Sequence, residues 1–250
     1  MQNKFSEMDY WEIITRQRPI VSKTQQNRFK NSKIAVIGCG GIGGTAIEMI
    51  ARMGVGEINI VDSDIFDMSN LNRQVMSSLD TLNKAKSEVT KEKINSIAPF
   101  TKVNSFNEEL TEKNVEKIIS NCDIIIDGLD NIITRIIVAR FANENKIPFI
   151  HGAIHGTMGQ ITVFTEETVE YEEMFQLNSF KKELNDDIIE NIKKITADKP
   201  PVIGPVPNII GALQAMESFK LVTELGTTIL APKILKFDLL NLELFKIDKL

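Results

Sequence analysis

A run of β-branched residues ending in a cluster of glycines limits this chain more than any other feature. Lys33-Ile-Ala-Val-Ile-Gly38 reads as a short buried strand, and five of the seven residues from Gly38 to Gly44 are glycine. An apolar-periodic stretch follows from Ile42 to Met53, so the segment reads as strand, turn and helix. Glu57-Ile-Asn-Ile-Val-Asp62 is the next strand. A parallel partner strand is reached through a crossover of roughly a dozen residues, which this helix supplies, and such crossovers are right-handed. The segment is therefore a βαβ unit.

The alternation continues down the chain. A helix is expected near Asn83 to Asn95, a strand near Lys102 to Phe106, a helix from Thr111 to Ser120 and a buried strand at Asp123-Ile-Ile-Ile-Asp127. Unbroken apolar strands are what a parallel sheet covered on both faces requires. A helix from Asn131 to Asn145 and a strand from Phe149 to Gly152, entered through Pro148, complete a doubly wound, Rossmann-like α/β sheet that is mainly parallel. Gln160-Ile-Thr-Val-Phe-Thr165 follows too closely for a parallel crossover, which points to antiparallel strands extending the sheet in the C-terminal part. Residues 166–201 are polar and charge-dense, with helical spacing at Ile188, Ile192 and Ile195, and Pro200, Pro201 and Pro205 punctuate the return. That stretch reads as a surface excursion. An apolar helix from Asn208 to Glu224 and two closing strands, Ile234 to Phe237 and Glu243 to Ile247, follow. The expectation is one domain over residues 1–250, with an N-terminal arm at 1–32, a nucleotide-binding half at 33–152 and a sheet extension at 153–250.

Composition excludes several classes. The 250 residues are 42% hydrophobic and 25% charged with a net charge of -5, ordinary for a soluble protein and unsuited to a nucleic-acid surface. No apolar run approaches the roughly 18 residues of a membrane helix, and Met1 to Arg18 lacks a secretory signal, so a cytoplasmic protein is expected. Cys39 and Cys122 are the only cysteines and build no disulfide framework.

Chemistry concentrates at the carboxyl ends of the strands. Gly38, Gly40, Gly41 and Gly43 lie where a strand becomes a helix, so backbone and unpaired N–H groups can approach a phosphate or ribose; a plain tight turn is the other reading. Asp62 stands about 20 residues past the loop, where a carboxylate can accept hydrogen bonds from ribose hydroxyls. A dinucleotide oxidoreductase would share these features. Asp62-Ser-Asp64 then leads into Ser69-Asn70-Leu71-Asn72-Arg73-Gln74, with Lys86 opening the next helix, and the cations Arg73 and Lys86 suit a triphosphate rather than a hydride donor. Asp130, in Asp127-Gly-Leu-Asp130-Asn131, is either a magnesium ligand or the cap of the next helix.

In these motifs the sequence resembles the E1-like family of ThiF, MoeB and HesA adenylyltransferases over nearly its whole length. The resemblance rests on Gly38-Cys-Gly-Gly-Ile-Gly, Asp62-Ser-Asp, Ser69-Asn-Leu-Asn-Arg-Gln, Lys86, Asp130-Asn-Ile-Ile-Thr-Arg135, Gly159-Gln-Ile-Thr-Val-Phe164, and Gly204-Pro with Gly211-Ala-Leu-Gln-Ala-Met-Glu217. It implies ATP and Mg as cofactors, with Asp62 and Asp64 on the nucleotide side, Asn70, Arg73 and Lys86 on the triphosphate, and Asp130 on the metal. It implies a homodimer in which Arg16, in Thr15-Arg-Gln17, reaches the partner's site. The implied reaction is attack of a carboxylate on the α-phosphate with loss of pyrophosphate, its catalytic set being Arg73, Lys86, Asp130 and Arg16.

Departures from the family pattern matter as well. The two Cys-x-x-Cys pairs of many members are absent, with Tyr171-Glu-Glu-Met174 near the first location, so no structural zinc is expected. No cysteine follows Cys122 to accept the activated acyl group. These absences favour a small carboxylic acid as substrate, guanylylpyridinol in an HcgE-type enzyme being the specific expectation; the alternative is the C-terminal glycine of a ubiquitin-like sulfur-carrier protein. An NAD-linked oxidoreductase and a catalytically silent scaffold are the readings from other classes. His151 and His155, the only histidines, either contact the substrate acid or satisfy backbone groups in a loop. Cys39 and Cys122 read as packing residues.

Overall fold

The computed structural model of the chain describes residues 5–195, 200–241 and 243–249. Its centre is a sheet of β1 (Lys33–Ile37), β2 (Glu57–Val61), β3 (Lys102–Phe106), β4 (Ile124–Asp127), β5 (Phe149–His155), β6 (Met158–Phe164), β7 (Lys233–Asp238) and β8 (Glu243–Lys249). The strands lie in the order β3-β2-β1-β4-β5-β6-β7-β8. The first five in that order are parallel, and each later pairing is antiparallel. After β3 the chain crosses back over β1 to lay down β4, which makes the gap between the ends of β1 and β4 the topological switch point, where open α/β sheets bind ligands.

Both faces are covered, which explains the continuous apolar strands. Ile34, Val36, Ile58, Ile60, Ile124 and Ile126 point into one core with α3 (Gly41–Arg52), α4 (Lys86–Ile97) and α9 (Pro205–Thr223). Ala35, Ile37, Val61 and Ile125 point into the other, with α5 (Val115–Ile119) and α6 (Ile132–Glu144). The arm carries α1 (Glu7–Ile13) and α2 (Lys23–Lys30), each begun by a capping box, at Ser6 with Asp9 and at Ser22 with Gln25. Tyr10 anchors it, donating to the Gly54 carbonyl at 2.8 Å, and Phe29 packs on Phe219 with ring centroids 4.7 Å apart.

Several boundaries differ from the expectation, each for a local reason. The helix expected over Thr111–Ser120 shrinks to α5 because the Asn114 side chain accepts from the Thr111 N–H at 2.7 Å and shapes a turn. The helix expected from Asn83 starts only at Lys86, since Asn83 takes a φ of +64°. Strand β5 runs three residues beyond Gly152, because β6 pairs with it along its whole length, so His155 as well as His151 lies in the strand rather than in a loop. Residues 166–201 are more than a surface excursion: α7 (Tyr171–Met174) and α8 (Asp186–Ile195) bury Tyr171, Met174 and Ile192 in the second core. Arg140 ties the segment down, donating to Glu172 Oε2 at 2.6 Å and to the carbonyls of Ser179 and Lys182 at 2.8 and 2.9 Å. Among the described residues no helix is long and apolar enough to cross a membrane.

Candidate active site

The glycine loop is packed too closely for side chains on one side and left open on the other. Gly38 has a φ of +95°, and a Cβ there would lie 2.6 Å from the Gly128 carbonyl oxygen. A Cβ on Gly43 would lie 1.8 Å from the Gly38 carbonyl oxygen. The turn after β4 thus rests directly on the loop after β1. At Gly40 the nearest atom to a Cβ would be Gln74 Nε2 at 3.8 Å, so that side is accessible. Gly40 is also the N-cap of α3 and supplies no side-chain cap, which leaves the first-turn N–H groups for an anion. Asp62 closes the loop: its Oδ2 accepts from the Cys39 N–H at 2.7 Å and its Oδ1 from the Asp64 N–H at 2.8 Å. Burial raises the Asp62 pKa against these two backbone donors and the nearby Lys86.

Two cations stand beside the loop in different states. Lys86 Nζ lies 2.9 Å from Asp64 Oδ2, with the lysine buried and the carboxylate largely exposed. The half-buried Arg73 donates through Nη1 to the Ser69 carbonyl and to Asn72 Oδ1, both at 2.9 Å, and among the described residues it pairs with no carboxylate. Asn70, expected on the triphosphate, uses its side chain locally: its Oδ1 accepts from the Asp67 N–H at 3.2 Å and its Nδ2 donates to Asp67 Oδ1 at 3.0 Å. Its carbonyl accepts from the Arg73 and Gln74 N–H groups at 3.1 and 2.9 Å, so Asn70 shapes the turn that carries Arg73.

Other residues of the site were not foreseen. Gln74 is buried beside Gly40 with its Oε1 unpartnered. Its only sequence signal was its place at the end of the Ser69–Gln74 motif. Asn208, in the first turns of α9, donates to the Arg73 carbonyl at 3.2 Å and accepts from the Thr45 hydroxyl, which joins the cation-bearing turn to α3. No local pattern could have revealed that bridge.

At the end of β4 the exposed Asp130 follows Gly128, which packs on the glycine loop. The helix cap is Asn131, whose Oδ1 accepts from the Ile133 N–H at 2.9 Å, so Asp130 is not the cap. A single carboxylate so placed fits a magnesium that takes its other ligands from phosphate and water. The chemistry of the loop, with open backbone donors and two cations, likewise fits a triphosphate.

Burial takes His151 and both cysteines out of reach of a ligand, whereas His155 stays exposed. His151 is 2% exposed, and its Nδ1 lies 2.7 Å from Asp127 Oδ2, which removes it as a substrate contact: β6 and the Tyr171 and Phe175 rings cover it. His155, at the exposed end of β5, pairs across to Met158. Burial lowers the His151 pKa below its ordinary 6.5 against the pull of Asp127. Between the folded and unfolded pKa values the unfolded chain binds the extra proton, so stability should fall as pH drops below about 6.5 and level off below the folded value. His151→Asn should remove that slope, read as the urea midpoint against pH. Burial raises the Cys39 thiol well above its ordinary value, and pushes Cys122 up to about 12, so neither is a ready nucleophile. Tyr171–Met174, near the first expected cysteine-pair location, is helix α7, with Glu172 engaged by Arg140.

Arg16 lies exposed in a 3-10 turn, Thr15–Gln17, whose Gln17 donates to the Met53 carbonyl at 3.0 Å. That is the far end of α3 from the glycine loop, roughly 18 Å away along a helix of this length. The structure does not bring Arg16 into this chain's own site.

Comparison with known proteins agrees with this geometry. Residues 14–249 match the ThiF family. A probable molybdopterin-synthase adenylyltransferase of Porphyra purpurea is 37% identical over 92% of the chain, which spans 58% of that protein's length. The molybdopterin-synthase adenylyltransferase of Haemophilus influenzae is 31% identical over 93% of each chain. The sulfur carrier protein adenylyltransferase of Thermus thermophilus is 27% identical over 89% of this chain and 80% of its own. Among solved structures, E. coli MccB with ATP superposes over 99% of this chain and 72% of its own with a TM-score of 0.80, at 22% identity, a likeness of fold. With the family match running almost from end to end and the Haemophilus relative, aligned over 93% of each chain, named for the activity, the chain belongs to the ThiF family of E1-like adenylyltransferases.

Proposed function

We propose that this enzyme uses ATP to adenylate the C-terminal carboxylate of a small sulfur-carrier protein, with release of pyrophosphate. The observation that carries the reading is the contact of Gly128 with Gly38 and Gly43, which sets the Asp130 turn beside the uncapped start of α3. The carboxylate is already ionised near neutral pH and needs no general base. Its oxygen attacks the α-phosphorus, the bond from that phosphorus to the bridging oxygen breaks, and pyrophosphate leaves with the electron pair. Asp62 receives the ribose hydroxyls, the α3 N-terminus and Gly40 face the phosphates, and Arg73 and Lys86 stabilise charge on the phosphate oxygens. Magnesium held by Asp130 supplies further neutralisation of that charge. Lys86 must exchange Asp64 for phosphate when nucleotide binds. Arg16, at the far end of α3, serves the site of a second copy in the same reading, so the working unit is a homodimer.

The sulfur-carrier reading takes support from the Thermus relative's name. The guanylylpyridinol expectation rested on missing cysteines, which govern zinc binding and thiol transfer and do not bear on which carboxylate enters. Family membership sets aside the NAD-linked reading. With a carrier protein added, exchange of labelled pyrophosphate into ATP should appear, and amidation of the carrier's C-terminus should abolish it. Exchange supported by guanylylpyridinol and by no carrier would overturn this substrate assignment.

A further inference from the structure

Beneath the Asp130 turn lies a buried charged cluster that the reaction scheme leaves unused. Asp127, the last residue of β4, is fully buried, and its Oδ2 accepts from Arg135 Nε at 2.6 Å and from His151 Nδ1 at 2.7 Å. Its Oδ1 accepts from the Leu129 N–H at 3.0 Å. Arg135 also donates through Nη2 to the Leu129 carbonyl. Burial would raise the Asp127 pKa, but Arg135 and then His151 hold it below the usual carboxylate range. An ionised Asp127 only accepts, so the neutral His151 carries its proton on Nδ1.

The arrangement fixes both ends of a short segment. Leu129 is held through its N–H by Asp127 and through its carbonyl by Arg135. Asn131 is held as the α6 cap, its Oδ1 also accepting from the Thr134 N–H at 3.3 Å. Asp130 is the single residue between these two fixed points. Gln214, from α9, donates to the Asp127 carbonyl at 2.8 Å and the Ile150 carbonyl at 3.1 Å, so the base of the cluster is tied to two strands. A buried ion pair is weak evidence for stability alone, because desolvation offsets most of its attraction. Its placement under a functional turn gives it another use.

We propose that Arg135 and His151 are positioning residues: they orient Asp127, and through Asp127 and the Leu129 backbone they hold the Asp130 carboxylate at its metal-binding orientation. The inference rests on Asp130 as the metal ligand. Residues that orient a ligand typically change metal affinity by about 10- to 100-fold when altered. Lysine at 135 keeps the charge but lacks the planar fork from which Arg135 reaches Asp127 through Nε and the Leu129 carbonyl through Nη2. Asparagine at 151 can place its Nδ2 where the imidazole Nδ1 stands, whereas alanine cannot.

The test measures Mn²⁺ binding to the complex with a non-hydrolysable ATP analogue, by electron paramagnetic resonance, alongside the thermal unfolding midpoint. Arg135→Lys and His151→Ala should each weaken Mn²⁺ about tenfold, with analogue affinity in the absence of divalent metal unchanged, and His151→Asn should restore the wild-type value. In an Asp130→Asn background Arg135→Lys should add no further loss. If Asp130→Asn itself leaves Mn²⁺ affinity unchanged, the metal-ligand reading falls and this inference falls with it. If Asp130→Asn weakens Mn²⁺ but Arg135→Lys and His151→Ala lower only the unfolding midpoint, the cluster is structural and the positioning role is overturned. Should Arg135→Lys fail to fold, the His151→Ala and His151→Asn pair decides.

Discussion

Arg73→Ala should lower carrier-dependent exchange of pyrophosphate into ATP by about a hundredfold, or close to 2.7 kcal/mol of transition-state stabilisation. The guanidinium is held by the Ser69 carbonyl and Asn72 Oδ1, both neutral acceptors, so its charge is available to a ligand. Lys86 cannot replace it, because its single ammonium must leave Asp64 to reach a phosphate of its own and cannot serve a second position. The turn should survive the substitution, since it is held by backbone groups: the Arg73 N–H donates to the Asn70 carbonyl at 3.1 Å, and the Arg73 carbonyl accepts from Asn208 at 3.2 Å. An unchanged unfolding midpoint together with lost exchange is therefore expected. Wild-type exchange in this variant would remove Arg73 from the catalytic set.

Gly43→Ala should destabilise the fold by about 3 kcal/mol and eliminate measurable ATP binding. The added methyl would sit 1.8 Å from the Gly38 carbonyl oxygen and 2.9 Å from its carbon, both backbone atoms. Gly38 cannot retreat easily. Its N–H donates to the Val61 carbonyl at 2.8 Å, and on its other side lies Gly128. Gly40→Ala is the contrast, because its methyl meets only the Gln74 side chain, at 3.8 Å. That variant should keep its urea midpoint and still bind ATP more weakly, since the methyl occupies the open side. A Gly43→Ala protein with normal urea midpoint and calorimetric ATP affinity would show that close packing is not what shapes the loop.

Elements set by short-range patterns were legible in the chain. Strand β3 falls where it was expected, from Lys102 to Phe106, and the glycine-loop unit from Lys33 to Asp62 folds as read, because strand, turn and helix preferences act over a few residues. The antiparallel pairing of β6 was legible from the length of its connection. Short-range patterns could not separate the two readings of His151. A histidine near a strand end can face a ligand, and only its burial beside Asp127, 24 residues away, shows that it turns inward. Asn70 was legible as a candidate through its motif but not as a turn-former, since its side-chain bonds to Asp67 depend on a turn with no strong signature.

By itself the sequence determined the doubly wound sheet and offered the glycine loop, Arg73, Lys86 and Asp130 as candidates beside its strand ends, because periodicity sets the elements and motif order marks the residues that follow them. Only the tertiary structure decided how those ends meet. The contact of Gly128 on the glycine loop, the Asn208 bridge to Thr45 across 163 residues and the Gln214 bridge to Asp127 across 87 are choices among chain-distant groups. Burial makes those choices: a polar group taken out of water must find a partner wherever the fold offers one, and no local pattern names it.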